Sequence, residues 1–231
     1  MKTVTIKTYE FDELSDSAKE KARSWFREAS CGYMDYSEST IDEAVEQAAH
    51  MGIEIKVNER SWTNKKTGKS GVTSEPCIYW SGFSSQGDGA CFEGSWSAKD
   101  VDISKVADGW GEDPATTEIK RIAAEFDRIA KAYPESSFKV THSGHYSHEF
   151  CTEFDFNFPD DNDGEDWPED KRAEWDAECD ALKKNARAFM KWIYRQLRKE
   201  YEYQQSDEAV DEDIKANDYA FTEEGSRRVV L

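Results

Sequence analysis

The residues with the most chemistry within reach are His142, His145, His148 and Cys151, three histidines and a cysteine at intervals of three. Neutral imidazole and thiolate are good zinc ligands. A spacing of three stacks side chains on one face of a helix but sends them to opposite faces of a strand. The segment holds Gly144 and lies between strand-like runs, so only a looped pair, His145 with His148, is left as a candidate metal site. The competing reading is a turn whose histidines make local hydrogen bonds, and no sequence-distant ligand set argues against it.

A second candidate is the run Ser84, Ser85, Gln86, Gly87, Asp88, Gly89. Two glycines flanking an aspartate can form a nest of backbone amides for an anion, or a carboxylate site for a cation. No Lys-Ser or Lys-Thr follows Gly89 and the next residues read as strand, so a phosphate loop does not fit and a tight turn does. Gln86, Asp88, His145 and His148 together form the candidate ligand-binding set. A general acid–base pair of Asp88 with His145 or His148 lacks a nucleophile motif such as G-x-S-x-G, so binding is expected rather than catalysis. Apart from that metal, no cofactor is expected.

The third candidate is acidic: Asp160, Asp161, Asp163, Glu165, Asp166 and Asp170. With Gly164 at the sixth position of a calcium loop, the first position falls on Pro159 and the twelfth on Asp170, so the carboxylate start and bidentate end are missing and a solvated loop is expected. Asp207, Glu208, Asp211, Glu212 and Asp213 add a second cluster. Were such carboxylates to share one surface, they could occupy the positive channel of a nucleic-acid enzyme as a mimic of backbone phosphates.

Around these candidates stand 231 residues with 49 Asp and Glu against 30 Lys and Arg, a net charge of −19. That balance disfavours direct contact with nucleic-acid backbones and suits a basic protein partner. The length fits a single domain spanning residues 1–231, and 8 Trp, 10 Tyr and 12 Phe imply an aromatic core. Five scattered cysteines without a C-x-x-C pair suggest reduced thiols in a cytoplasm. No export signal or apolar run of membrane length is expected.

The elements that must position the candidates follow from periodicity. Residues 3–9 read as a strand, followed by a helix with a capping box at Ser17 and Glu20 and a staple at Leu14. A second helix begins near Thr40 and ends at Gly52, whose lack of a Cβ suits a left-handed cap. Strands are expected at 53–57, 77–83, 90–96, 138–141 and 149–158, with an exposed hairpin tip or loop over 62–72. Helical spacing marks 119–133, closed by Pro134, a long helix after Pro168 and a short one at 207–215, before a final hairpin around Gly225. The order is neither a βαβ alternation nor a repeat, and it predicts an α+β fold: an antiparallel sheet with several helices, including one long helix in the C-terminal half.

Three runs, FDELSDSAKEKA (11–22), GFSSQGDGACF (82–92) and HYSHE (145–149), resemble a family of uncharacterised phage and prophage proteins, some of whose members carry antitoxin-like labels. The resemblance implies an acidic binding protein that inhibits or modulates a host protein, such as a component of CRISPR or restriction defence, with Trp110 or Trp167 as contact anchors. The alternatives are a small-ligand or metal-binding protein or enzyme at the Gln86–Asp88 and His145–His148 segments, and an antitoxin.

Overall fold

The computed structural model describes residues 7–30, 36–157 and 166–227. The fold is α+β, with antiparallel sheets and five α-helices among those residues. Where the sequence suggests one domain over 1–231, packing groups the chain into two compact units, Glu38–Leu197 and the end segments Met1–Ser37 with Arg198–Leu231.

In the larger unit, β1 (Met51–Ile55), β6 (Gly94–Val101), β7 (Ser137–His142) and β8 (Thr152–Asn157) form an antiparallel sheet in the order β1-β6-β7-β8. Alternation on β7 buries Phe138 and Val140, the half-buried pattern expected of a sheet with one face on the core. Trp96 is central: its Nε1–H donates to the Met51 carbonyl at 2.9 Å, and its ring stacks on Phe138 at 5.5 Å and meets Phe126 at 5.8 Å. Phe154 and Phe156 share a face of β8 and both reach Phe138. Phe158 lies outside the described residues. Helix α2 (Glu38–His50) packs on β1, and α3 (Pro114–Ala132) packs on β6. Asp113 caps α3 by accepting from Thr116 N–H at 2.7 Å, with proline at the first turn where its missing N–H costs nothing. The long helix α4 (Glu169–Gln204) buries Trp175, Leu182, Phe189, Trp192 and Ile193 in this unit.

Three long strands are interrupted at one level. Residues 51–63, 70–81 and 89–101 are interrupted at Lys56, Cys77 and Glu93, where Lys56 N–H donates to Glu93 O, Cys77 N–H to Lys56 O and Glu93 N–H to Cys77 O, at 2.9, 2.7 and 2.9 Å. Each strand exchanges partners at this closed ring. On one side β1 pairs with β6. On the others, β2 (Val57–Thr63) pairs with β3 (Ser70–Pro76), and β4 (Ile78–Ser81) with β5 (Gly89–Phe92). Lys56 Nζ and the Glu93 carboxylate add an ion pair of 2.7 Å across the ring.

Several sequence expectations are corrected. Gly52 does not cap α2, which ends at His50. It sits at the register shift in β1 with φ +77°, where a Cβ would stand 2.7 Å from Ser97 O, so it serves a bulge. The run 90–96 is not one strand: it breaks at Glu93 into β5 and β6, and β6 continues to Val101. Helix α2 starts at Glu38, two residues before Thr40.

The smaller unit places α1 (Asp16–Ser30) beside α5 (Asp207–Ala216) around Phe11, Ala22, Phe26, Val210, Ile214 and Phe221. Ser15, not Ser17, caps α1, its Oγ accepting from Ala18 N–H at 3.4 Å. Arg23 grips Asp211 with Nε and Nη2 at 2.6 and 2.7 Å, and Arg27 reaches Asp207 at 2.5 Å. Where a terminal hairpin is expected, Phe221 bridges Arg227 antiparallel across the turn at Gly225, and it also bridges Tyr9. Residues 3–6 of the expected first strand and 228–231 lie outside the described residues.

Candidate functional site

The two candidate ligand segments meet. The turn over 84–89 joins β4 to β5, and the segment 143–151 joins β7 to β8; they press together so closely that a Cβ on Gly89 would lie 2.5 Å from His148 Cβ, and one on Gly87 would lie 3.1 Å from the Tyr146 ring. Close approach requires glycine at 89, and the left-handed backbone, φ +99°, favours it at 87.

Their polar atoms are largely occupied within the protein. Asp88 Oδ2 accepts from the Ser84 and Ser85 amides at 2.9 and 2.6 Å, which closes the turn. His148 Nδ1 accepts from Phe150 N–H at 3.1 Å, which puts the proton of the neutral ring on Nε2, facing Cys151 Sγ at 3.6 Å. His142 Nε2 donates to Tyr146 O at 2.8 Å while its ring stacks on Tyr79. Gln86 and His145 are exposed, and His145 touches the Tyr146 ring edge-on. Histidines making local bonds in a turn are therefore what the structure shows. Among the described residues no group of three or more His, Cys, Asp or Glu side chains could hold a metal ion.

The buried Cys91 thiol is pushed up to about 12, first by burial and then by neighbouring Cys151, Glu93 and Glu149. It is therefore protonated and a poor nucleophile at neutral pH.

Next to this junction lies a surface the sequence reading missed. Phe150 is 63 % exposed, with Arg187 Cζ at 5.1 Å and Lys191 Nζ at 5.4 Å from its ring centre. Arg187 also stands 5.6 Å from the Phe154 ring. A groove of about 390 Å³ is lined by Phe150, Asp180, Lys183, Lys184, Arg187 and Lys191. Lys183 has Asp180 at 3.5 Å and Lys191 has Glu149 at 2.9 Å. Lys184 and Arg187 form no ion pair among the described residues. Arg187 Nη2 reaches Thr152 O at 3.5 Å, but its buried Nε meets no acceptor among the described residues. An unsatisfied buried donor costs about 1–3 kcal/mol.

The signal was present in α4 itself, where residues 181–199 hold seven Lys and Arg and no Asp or Glu, while 169–180 hold six Asp and Glu and two Lys and Arg. Reading the helix only for its apolar spacing hid this reversal of charge along its length.

Of the acidic candidates, Asp166 and Asp170 are exposed; Asp160, Asp161, Asp163 and Glu165 lie outside the described residues. In the second cluster Asp207 and Asp211 are tied to Arg27 and Arg23. Trp110 stacks on buried Trp192 at 6.1 Å and belongs to the core. Trp167 lies under Lys171 Nζ at 3.6 Å. No helix among the described residues is long and apolar enough to cross a membrane.

A comparison with curated proteins and with solved structures finds no match. The pattern of the family described as Domain of unknown function (DUF8835) matches residues 36–207, and the chain belongs to that family.

Proposed function

We infer that this protein works by binding rather than by chemistry: an acidic, phage-type protein that holds a basic host protein, such as a defence component or another nucleic-acid-handling enzyme, and inhibits or modulates it. The observation that supports this reading is the β2–β3 ribbon. Every residue of β2 is exposed, and Val57, Trp62 and Val72 are 52, 45 and 60 % exposed. A two-stranded hairpin is marginal alone in water, and large exposed aromatic and branched side chains are typical of contact surfaces. The net charge of −19 steers a basic partner toward the protein. Glu169, Asp170, Glu174 and Asp176 are exposed on the first turns of α4, carboxylates suited to a positive channel in the mimicry form of this reading. The site of action is the host cytoplasm.

Affinity purification of the tagged protein from phage-infected cells, washed at moderate salt, tests the reading. A basic nucleic-acid enzyme should be retained, and Trp62→Ala with Val72→Ala should release it without unfolding the protein. Recovery of the wild-type protein alone would sink the proposal. In the antitoxin version, the retained partner is a toxin encoded beside it.

A further inference from the structure

We propose that the groove between α4 and the 148–152 turn binds a nucleotide unit, its phosphate held by Lys183, Lys184 and Arg187 and its base stacked on Phe150. This goes beyond the ribbon-mediated contact and uses a different surface. Local charge decides the matter here: the whole chain is acidic, but the groove is lined by four cations, and while Lys183 and Lys191 are paired with Asp180 and Glu149, Lys184 and Arg187 form no ion pair among the described residues. Long-range repulsion from the remaining acidic surface is screened beyond roughly 10 Å at ordinary salt.

Three features favour a nucleotide over a plain anion or an acidic peptide. Phe150 presents an exposed ring beside the cations, and aromatic rings flanking basic residues are what base stacking uses. Arg187 forms no ion pair among the described residues and stands 5.1 Å from the Phe150 ring, so a planar cation suited to phosphate lies beside the ring on which a base would stack. The groove, at about 390 Å³, falls at the small end of the range for small-molecule sites. A free nucleotide and one unit of a single strand share this chemistry.

Fluorescence anisotropy with a labelled oligothymidylate at about 0.1 M salt, where the acidic surface is screened, competed by AMP, inorganic phosphate and polyglutamate, tests the assignment. The expected result is saturable binding of the oligonucleotide, displaced by AMP. Lys184→Glu should weaken both ligands about tenfold, and Phe150→Ala should weaken both about tenfold while leaving inorganic phosphate unaffected. Both changes are at exposed side chains, so circular dichroism should be unchanged. Comparable affinity for AMP and the oligonucleotide marks a free-nucleotide site, whereas affinity that grows with strand length marks a single-strand site; either supports the proposal. Absence of binding by both, equal competition by inorganic phosphate or polyglutamate, or wild-type affinity in both variants overturns it.

Discussion

Gly89 lies directly beneath His148, so that a Cβ added to the glycine would stand 2.5 Å from the histidine Cβ and 2.8 Å from its Cα. The contact is with backbone as well as side chain. Gly89→Ala should therefore destabilise the protein by about 2–3 kcal/mol, read as a lower urea midpoint. His148→Ala should not rescue it, because alanine keeps both clashing atoms.

Trp96 provides the second test. Its Nε1–H satisfies the buried Met51 carbonyl, and its ring fills the space between Phe126 and Phe138. Trp96→Phe leaves an unpaired carbonyl and a void, and should cost about 2–4 kcal/mol. Thermal unfolding followed by near-ultraviolet circular dichroism would reveal it.

Arg23 joins α1 to α5 through a two-pronged contact with Asp211, and also lies 3.4 Å from Asp207. Asp211 holds the guanidinium well above its ordinary pKa. Arg23→Met should cost about 1–3 kcal/mol, and Arg23→Lys should recover only part, since an ammonium cannot match the fork. Faster amide exchange confined to α1 and α5 is the expected signature.

The Lys56–Glu93 pair gives a pH prediction. Its hydrogen bond to Lys56 is the main reason the Glu93 carboxyl lies below the ordinary carboxylate range, and the same bond raises Lys56. Stabilisation from Glu93 is present above the ordinary carboxylate pKa and disappears as pH falls through its lowered value. Stabilisation from Lys56 is present below the ordinary lysine pKa and disappears as pH rises through its raised one. The pair should thus contribute fully between roughly pH 5 and 10. Carboxyl NMR titration should show Glu93 moving upward in Lys56→Met, with a flatter acid limb in the stability curve.

Cys91 should resist iodoacetamide at pH 7–8 in the folded protein, because burial and its neighbours hold the thiol up to about 12. Mass spectrometry should find it alkylated only after denaturation. Labelling of native protein at the rate of a free thiol would contradict the burial.

Periodic elements were legible in the sequence: α3, α4, α5 and β7 lie within a few residues of where apolar spacing placed them. The hairpin tip around Asn64 was legible from its turn residues, the Asn64 side chain accepting from the Lys66 and Thr67 amides. Hidden instead were features fixed by distant partners. Gly52 looks like a helix cap until Ser97 and Val101 crowd it. Glu93 looks like mid-strand until Lys56 and Cys77 take its backbone bonds. The contact between the 84–89 turn and the 145–149 segment depends on two glycines whose neighbours lie some sixty residues away. Phe150 read as one more phenylalanine in an alternating strand, and only the start of β8 at Thr152 leaves it outside the ladder and in the open.

The ring at Lys56, Cys77 and Glu93 also has a mechanical consequence. The ribbon carrying Trp62 and the hairpin carrying Asp88 are extensions of strands that cross this one pivot, and the third strand runs on from it into the sheet that holds Trp96. A load applied at the ribbon tip is carried along continuous backbone to the ring's three hydrogen bonds. From there it divides between the core and the turn beneath His148, because the ribbon's two strands pass through Lys56 and Cys77, both tied to Glu93.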